Sequence, residues 1–234
     1  MGYLMGIDVG TTSTRAVIID AQGRVVSSGV TEYPLDTPQP TWAEQDPHDW
    51  WAGTVASVRA ALVGARSKAG IGPDAIKGVG LSGQMHGSVF LDERDQVIRP
   101  AILWCDQRTA RQCETITETV GADDLVAETC NPVLTGFTAP KIIWLREQEP
   151  ANFARVRRVL LPKDYVRLRL TGEYATEVSD ASGTSLLNVP ERRWSDLILE
   201  RLELPAEITP RGYRVKRSVL RAWLAGHAQL LRKR

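Results

Sequence analysis

One acid, one glycine and three hydroxyls stand within six positions near the start of the chain: Asp8, Gly10, Thr11, Thr12 and Ser13, inside the stretch GIDVGTTSTRAVIID from Gly6 to Asp20. Gly10 allows the backbone to turn sharply and to come close to a ligand. Successive turn amides make a concave anion site, to which the hydroxyls add donors. Asp8 alone would repel a phosphate. A bridging divalent cation resolves the conflict, because Mg²⁺ is commonly held by one or two carboxylates together with substrate phosphates. Arg15 adds a fixed positive charge just past the turn. The competing reading of these residues is an ordinary hairpin with a polar turn.

A second chemical stretch is Ser82-Gly83-Gln84-Met85-His86-Gly87. Its glycines leave room beside the backbone, and Gln84 and His86 can each donate and accept hydrogen bonds, as a polyhydroxylated ligand requires. Met85 supplies an adaptable apolar wall. The alternative is a structural His86 beside a core Met85. Metal binding by His86 is not indicated, since His48 and His227 lack ligand spacing. A third polar run, Trp104 to Arg108, leaves Asp106 and Arg108 as a structural ion pair or a substrate contact, with the ion pair favoured.

These stretches need elements to hold them. The short apolar runs around Ile7 and Ala16–Ile19 read as strands joined by the Asp8–Ser13 turn. Arg24–Val30 reads as a third strand, so the chain opens with an antiparallel meander. Three prolines make Tyr33–Thr41 a surface loop. Asp46-Pro47 starts a helix running to Ala69, with Trp51, Val55, Val58 and Leu62 towards the sheet. Ile76–Leu81 is a fourth strand reached by this crossover, which predicts an α/β layer covered on both faces. Ser82–Gly87 then lies beyond a strand's carboxyl end, where ligands of open α/β sheets collect. Further on, Val89–Leu91, Val97–Trp104 and Val156–Leu161 read as strands. Thr109–Thr119, the segment around Ile142, Ile143 and Leu145, and Asp164–Thr171 read as helices, and Asp180–Thr184 as a loop.

Hydrophobic residues at 43% and charged residues at 24% are ordinary globular values. No apolar run is long enough to span a bilayer, and Asp8 interrupts the N-terminus too early for a secretory signal. Cys105, Cys113 and Cys130 include no C-x-x-C pair and read as free thiols, so a cytoplasmic location is expected. The net charge of +1 hides an asymmetry: positions 211–234 hold eight Lys or Arg and no acid, leaving 21 bases against 28 acids elsewhere. Such a shift marks a boundary.

With these motifs in order, the chain resembles the N-terminal half of an FGGY-family carbohydrate kinase, and within that family the xylulokinases. Gly6 to Ser13 resembles the first phosphate loop of the actin-like ATPases. Gly136-Phe137-Thr138-Ala139-Pro140-Lys141-Ile142-Ile143-Trp144-Leu145-Arg146-Glu147-Gln148 is similar to the family's first sequence pattern at every specified place. Ser82–Gly87, Arg99–Trp104 and Leu161–Tyr165 resemble xylulokinase motifs, and the resemblance covers residues 3 to about 204. It implies an α/β actin-like (ribonuclease H-like) domain, a mixed sheet with flanking helices. It also implies transfer of the γ-phosphoryl of ATP to the 5-hydroxyl of D-xylulose or a related ketose, with Mg²⁺. By the same resemblance Asp8 organises Mg²⁺ and phosphate. Gly10, Thr11, Thr12, Ser13 and Arg15 occupy phosphate-loop positions. Gln84, Met85 and His86 line the sugar site, and Trp104 and Phe137 wall it by looser analogy.

Two departures qualify that expectation. The family's catalytic base is an Asp in a G-G-G-D-N stretch that these 234 residues do not contain. The chain therefore divides into a family domain over 1–210 and a basic tail over 211–234, as a truncation or frame shift in a longer gene would produce. The tail carries no recognisable nucleic-acid or membrane motif and is expected to be solvated. Two functions stand: a xylulokinase-type enzyme completed by a further domain, or a non-catalytic pentulose-binding or partner-binding domain. A face left for a missing C-terminal domain would favour association, including with a second copy of the chain.

Overall fold

The structure, a computed structural model, describes residues 2–205 and 208–210. The expectation for the basic tail lies outside the described residues. Three strands come first, β1 (Tyr3–Val9), β2 (Ser13–Ile19) and β3 (Val25–Glu32), followed by the short β4 (Glu44–Gln45) and the helix α1 (Pro47–Ala69). Next are β5 (Ile76–Gly83), β6 (Val89–Leu91), β7 (Ala101–Ile102), α2 (Ala110–Val120), α3 (Ala122–Thr129), α4 (Thr138–Gln148) and α5 (Pro150–Phe153). The described chain closes with β8 (Arg158–Leu160), α6 (Pro162–Thr171), α7 (Val178–Ala181), β9 (Leu187–Asn188), β10 (Arg193–Trp194) and α8 (Asp196–Arg201).

The main sheet has the order β3-β2-β1-β5. Its first three strands form the expected antiparallel meander, and β5 joins β1 in parallel after the α1 crossover. The mixed α/β sheet is thus as the sequence predicts. Helix α1 begins where Asp46 accepts a hydrogen bond from the His48 amide, with Pro47 in the first turn, and ends on Gly70 at φ 65°.

The face that α1 turns to the sheet is half as expected. Val58 and Leu62 are buried, but Trp51 and Val55 are only half-buried, and Trp50, Gly53, Thr54, Ser57, Ala61 and Ala65 complete the buried face. Small residues are needed because the helix lies almost on the strands. A β-carbon at Gly29 of β3 would overlap the Ser57 carbonyl oxygen, and one at Gly64 would overlap the Ser27 hydroxyl. Bulky periodicity misreads a helix seated this closely.

Met5, Ile7 and Val9 of β1 and Ala16 and Ile18 of β2 pack beneath α1 and α6 in one core. The other face of the sheet was expected to be covered too. Among the described residues this face leaves Leu4 and Val30 exposed at 49% and 47%. A second core gathers α2, α4 and α8 around Phe90, Ile116, Ile142 and Ile198. Strand β6 joins the two, since Val89 and Leu91 face the first core and Phe90 the second.

Two further expectations need correction. Val97–Trp104 is not one continuous strand: Val97 bridges Leu91 at one end, and at the other Ala101 and Ile102 pair with β4 while Ile102 also bridges Ser88. Between them Pro100 has no amide to donate and Arg99 turns into ion pairs with Glu44 and Glu149. Asp180–Thr184 is helical rather than looped. The Glu177 carboxylate accepts from the Ser179 and Asp180 amides and starts α7, and a 3₁₀ turn at Ser182–Thr184 continues it.

Candidate active site

The Asp8–Ser13 turn sits at the end of β1, beside the end of β5. Gly10 donates its amide to the Ser13 carbonyl at 3.0 Å, which closes the turn, so this amide does not point outward to an anion. The turn is held from below by groups that the sequence reading passed over. Tyr33 donates its hydroxyl to the Gly10 carbonyl at 2.6 Å, and burial pushes the phenol up to about 12, so it remains a donor. Gln45 donates to the carbonyls of Thr11 and Pro34 at 2.7 and 2.8 Å while accepting from Trp50 Nε1 at 3.0 Å. In the sequence Gln45 stands two residues before a helix start, a position that signals a leader segment and nothing more.

Asp8 and Arg15 are exposed and lie opposite each other in the β1–β2 register. Neither forms an ion pair among the described residues. Thr12 is exposed and Ser13 half-buried. A free carboxylate beside hydroxyls is the oxygen-only donor set that suits Mg²⁺. Among the described residues no cluster of three or more His, Cys, Asp or Glu could hold a metal alone. The residues present therefore fit a cation shared with a phosphate ligand.

Thr11 is different from its neighbours. Its hydroxyl donates to Gln84 Oε1 at 3.2 Å and accepts from Trp104 Nε1 at 3.1 Å. Gln84 is 8% exposed, and its amide nitrogen reaches Gln45 Oε1 at 3.0 Å and the Gly10 carbonyl at 3.4 Å. Gln84 thus serves the turn from beneath, and in this arrangement its side chain is engaged by the protein rather than held out to a sugar. Through Thr11 the phosphate-type turn and the Trp104 wall are joined.

Met85 and Trp104 are 48% and 39% exposed, on the open side of the site. His86 has φ 62° and is half-buried. Its ring meets Phe137 edge to face, with centroids 4.8 Å apart. Burial, and then the charge of Lys141, lowers the imidazole to about 4, so it is neutral near pH 7 and offers one donor and one acceptor. Gly183 lies against this ring so closely that a β-carbon there would overlap it. Gly136 approaches Trp104 in the same way, its hypothetical β-carbon 2.8 Å from the Trp104 carbonyl oxygen. Contacts thus link Trp104 to the Asp8–Ser13 turn and to Gly136, and His86 to Phe137 and Gly183.

The Trp104 loop is anchored by the Asp106–Arg108 ion pair. Arg108 meets Asp106 at 2.7 Å and Glu44 at 2.6 Å, and its guanidinium lies 3.6 Å from the centroid of the Trp42 ring. Asp106 also accepts from the Ala43 amide at 2.7 Å and is fully buried. Below α7, Lys163 pairs with Asp180 at 2.6 Å and with Asp164 at 3.2 Å, which fixes the segment carrying Gly183.

Comparison with known proteins places the chain in a family. The description "FGGY family of carbohydrate kinases, N-terminal domain" matches residues 3–220. The chain is 43% identical over 206 residues to xylulose kinase of Klebsiella pneumoniae, covering 88% of this chain and 41% of that protein. It is 40% identical to xylulose kinase of Escherichia coli K12, covering 89% and 42%. Among solved structures, a xylulose kinase from Brucella ovis superposes with a TM-score of 0.83 at 38% identity, over 93% of this chain and 46% of that one. Glycerol kinase of Plasmodium falciparum, at 20% identity and a TM-score of 0.80, shares the fold. The chain spans less than half the length of each of these relatives. On this match and the site beneath it, the chain belongs to the FGGY family of carbohydrate kinases.

Proposed function

We propose that this chain supplies the ketose pocket and first phosphate loop of a xylulokinase-type kinase, which phosphorylates D-xylulose at its 5-hydroxyl with ATP. The observation that carries the reading is Thr11, whose hydroxyl bonds both Gln84 and Trp104 and so fixes the phosphate loop against the sugar wall. Phosphoryl transfer depends chiefly on positioning and charge neutralisation, which such a joint serves. The sugar lies against Met85, His86, Trp104 and Phe137. Neutral His86 offers a hydroxyl one donor and one acceptor, and the aromatic rings exclude water from the apolar face. Thr12, Ser13 and Arg15 face the transferring phosphoryl group, and Asp8 holds Mg²⁺, which would neutralise charge on the phosphates. The base that takes the proton from the 5-hydroxyl, and the adenine site, come from a further domain. That domain or a second copy of this chain covers the open sheet face around Leu4 and Val30. A cytoplasmic setting, where ATP is available and thiols stay reduced, goes with this reading.

A second reading is supported by the same half-site: a domain that binds a pentulose without transferring phosphate. Purified chain given D-xylulose, ATP and Mg²⁺, alone and mixed with the C-terminal half of a xylulose kinase, separates the two, with Asp8→Ala as control. Turnover that needs the added half and is lost in Asp8→Ala supports the kinase reading. Binding without turnover even with the added half supports a sugar-binding domain, and neither binding nor turnover removes the pocket assignment.

A further inference from the structure

Resting on that reading of the pocket, we infer that Lys141 is a positioning residue that locks His86 and Phe137 at their working separation. Lys141 lies on α4, four residues after Phe137, and is fully buried. Among the described residues no carboxylate lies within ion-pair distance of its ammonium. It donates instead to the His86 carbonyl at 3.0 Å and to the Gly136 carbonyl at 2.6 Å. Those carbonyls belong to the two backbone turns that carry the paired rings. Thr138 adds a second donor to the His86 carbonyl at 3.2 Å.

A buried ammonium is costly, and an unpaired one more so, hence such a group persists where its hydrogen bonds fix something specific. What it fixes here is a residue in the left-handed region, His86 at φ 62°, which a non-glycine residue holds only when its surroundings over-determine it. Gly136 is the same residue whose backbone abuts Trp104. One side chain thus ties together three walls of the proposed pocket. The other groups that face it are Asp106, Cys105 and Arg108 on the Trp104 loop and Cys113 on α2. Burial holds Lys141 down to about 7, so its charge changes near neutrality.

The test is the His86 Cε1 proton resonance of the whole chain, assigned with His86→Gln and recorded without sugar, followed by titration with D-xylulose. In wild type the Phe137 ring shifts this resonance from its free position. Lys141→Met, of similar size and apolar, is expected to release the shift and to weaken D-xylulose binding about tenfold, a change no general loosening of the fold would confine to this resonance. A folded Lys141→Met chain with an unmoved resonance overturns the inference. Should that variant not fold, Lys141→Gln, too short to reach both carbonyls, is read in the same way: a moved resonance upholds the coupling, and an unmoved one overturns it. Failure of the wild-type chain to bind D-xylulose would remove the sugar reading alone, since the resonance is read without sugar.

Discussion

At the scale of single residues, the site depends on polar groups whose partners are internal. Arg108 is the clearest case, its side chain 1% exposed between Asp106 and Glu44. Truncating one member of a buried ion pair leaves the other charges uncompensated. Arg108→Ala is expected to cost about 3–5 kcal/mol of stability, read as a lower denaturant midpoint. Lys141 makes a prediction with a sign. Its folded value near 7 lies below the usual 10.5, so between those values the unfolded chain binds more protons. On this account stability rises with pH across that window and is lost as pH falls back towards 7. Denaturation of wild type against Lys141→Met at several pH values in that window should show the slope in wild type only; equal slopes would exclude it. Of the residues in the proposed site, Asp8, Thr11, Met85 and His86 stand out in the sequence by motif, whereas Trp104 and Phe137 enter through the family resemblance. Tyr33, Gln45 and Gly183 were not legible, because each acts on a turn distant in sequence and no local pattern marks it.

At the scale of elements, the meander, the α1 crossover and its caps were legible for a local reason. Asp46-Pro47 and Gly70 state the helix limits in the sequence itself. The face of α1 was legible only in part: Val58 and Leu62 are buried as periodicity suggests, but close seating also buries the small residues Gly53, Ser57 and Ala61, which periodicity does not mark. The contact between Gly29 and the Ser57 backbone makes this testable. Gly29→Ala must push the helix from the sheet or shift β3, and overpacking of this kind typically costs about 1–3 kcal/mol. Thermal unfolding of Gly29→Ala should fall accordingly, whereas an unchanged midpoint would mean that α1 sits farther from β3. The Val97–Trp104 segment was misread because alternation there is broken by Pro100, and the ion pairs of Arg99 direct the chain across to β4.

At the scale of the whole molecule, two cores share β6, and the site lies along the ends of β1 and β5 where both cores deliver their loops. The first core supplies the phosphate-type turn. The second supplies α4 with Phe137 at its cap and Lys141 in its second turn. The opposite sheet face, with Leu4 and Val30 exposed, is where the proposed further domain or second copy would add burial. Nothing in hydrophobic periodicity could have shown that this face stays open, because Leu4, Val17 and Ile19 read as ordinary sheet residues.

The most direct test of the ketose pocket is calorimetric titration of D-xylulose into the purified chain, set beside Phe137→Ala. Saturable binding to one site, weakened about tenfold in the variant, is the expected result. No saturable binding by wild type, or equal affinity in the two chains, would contradict the assignment of the pocket.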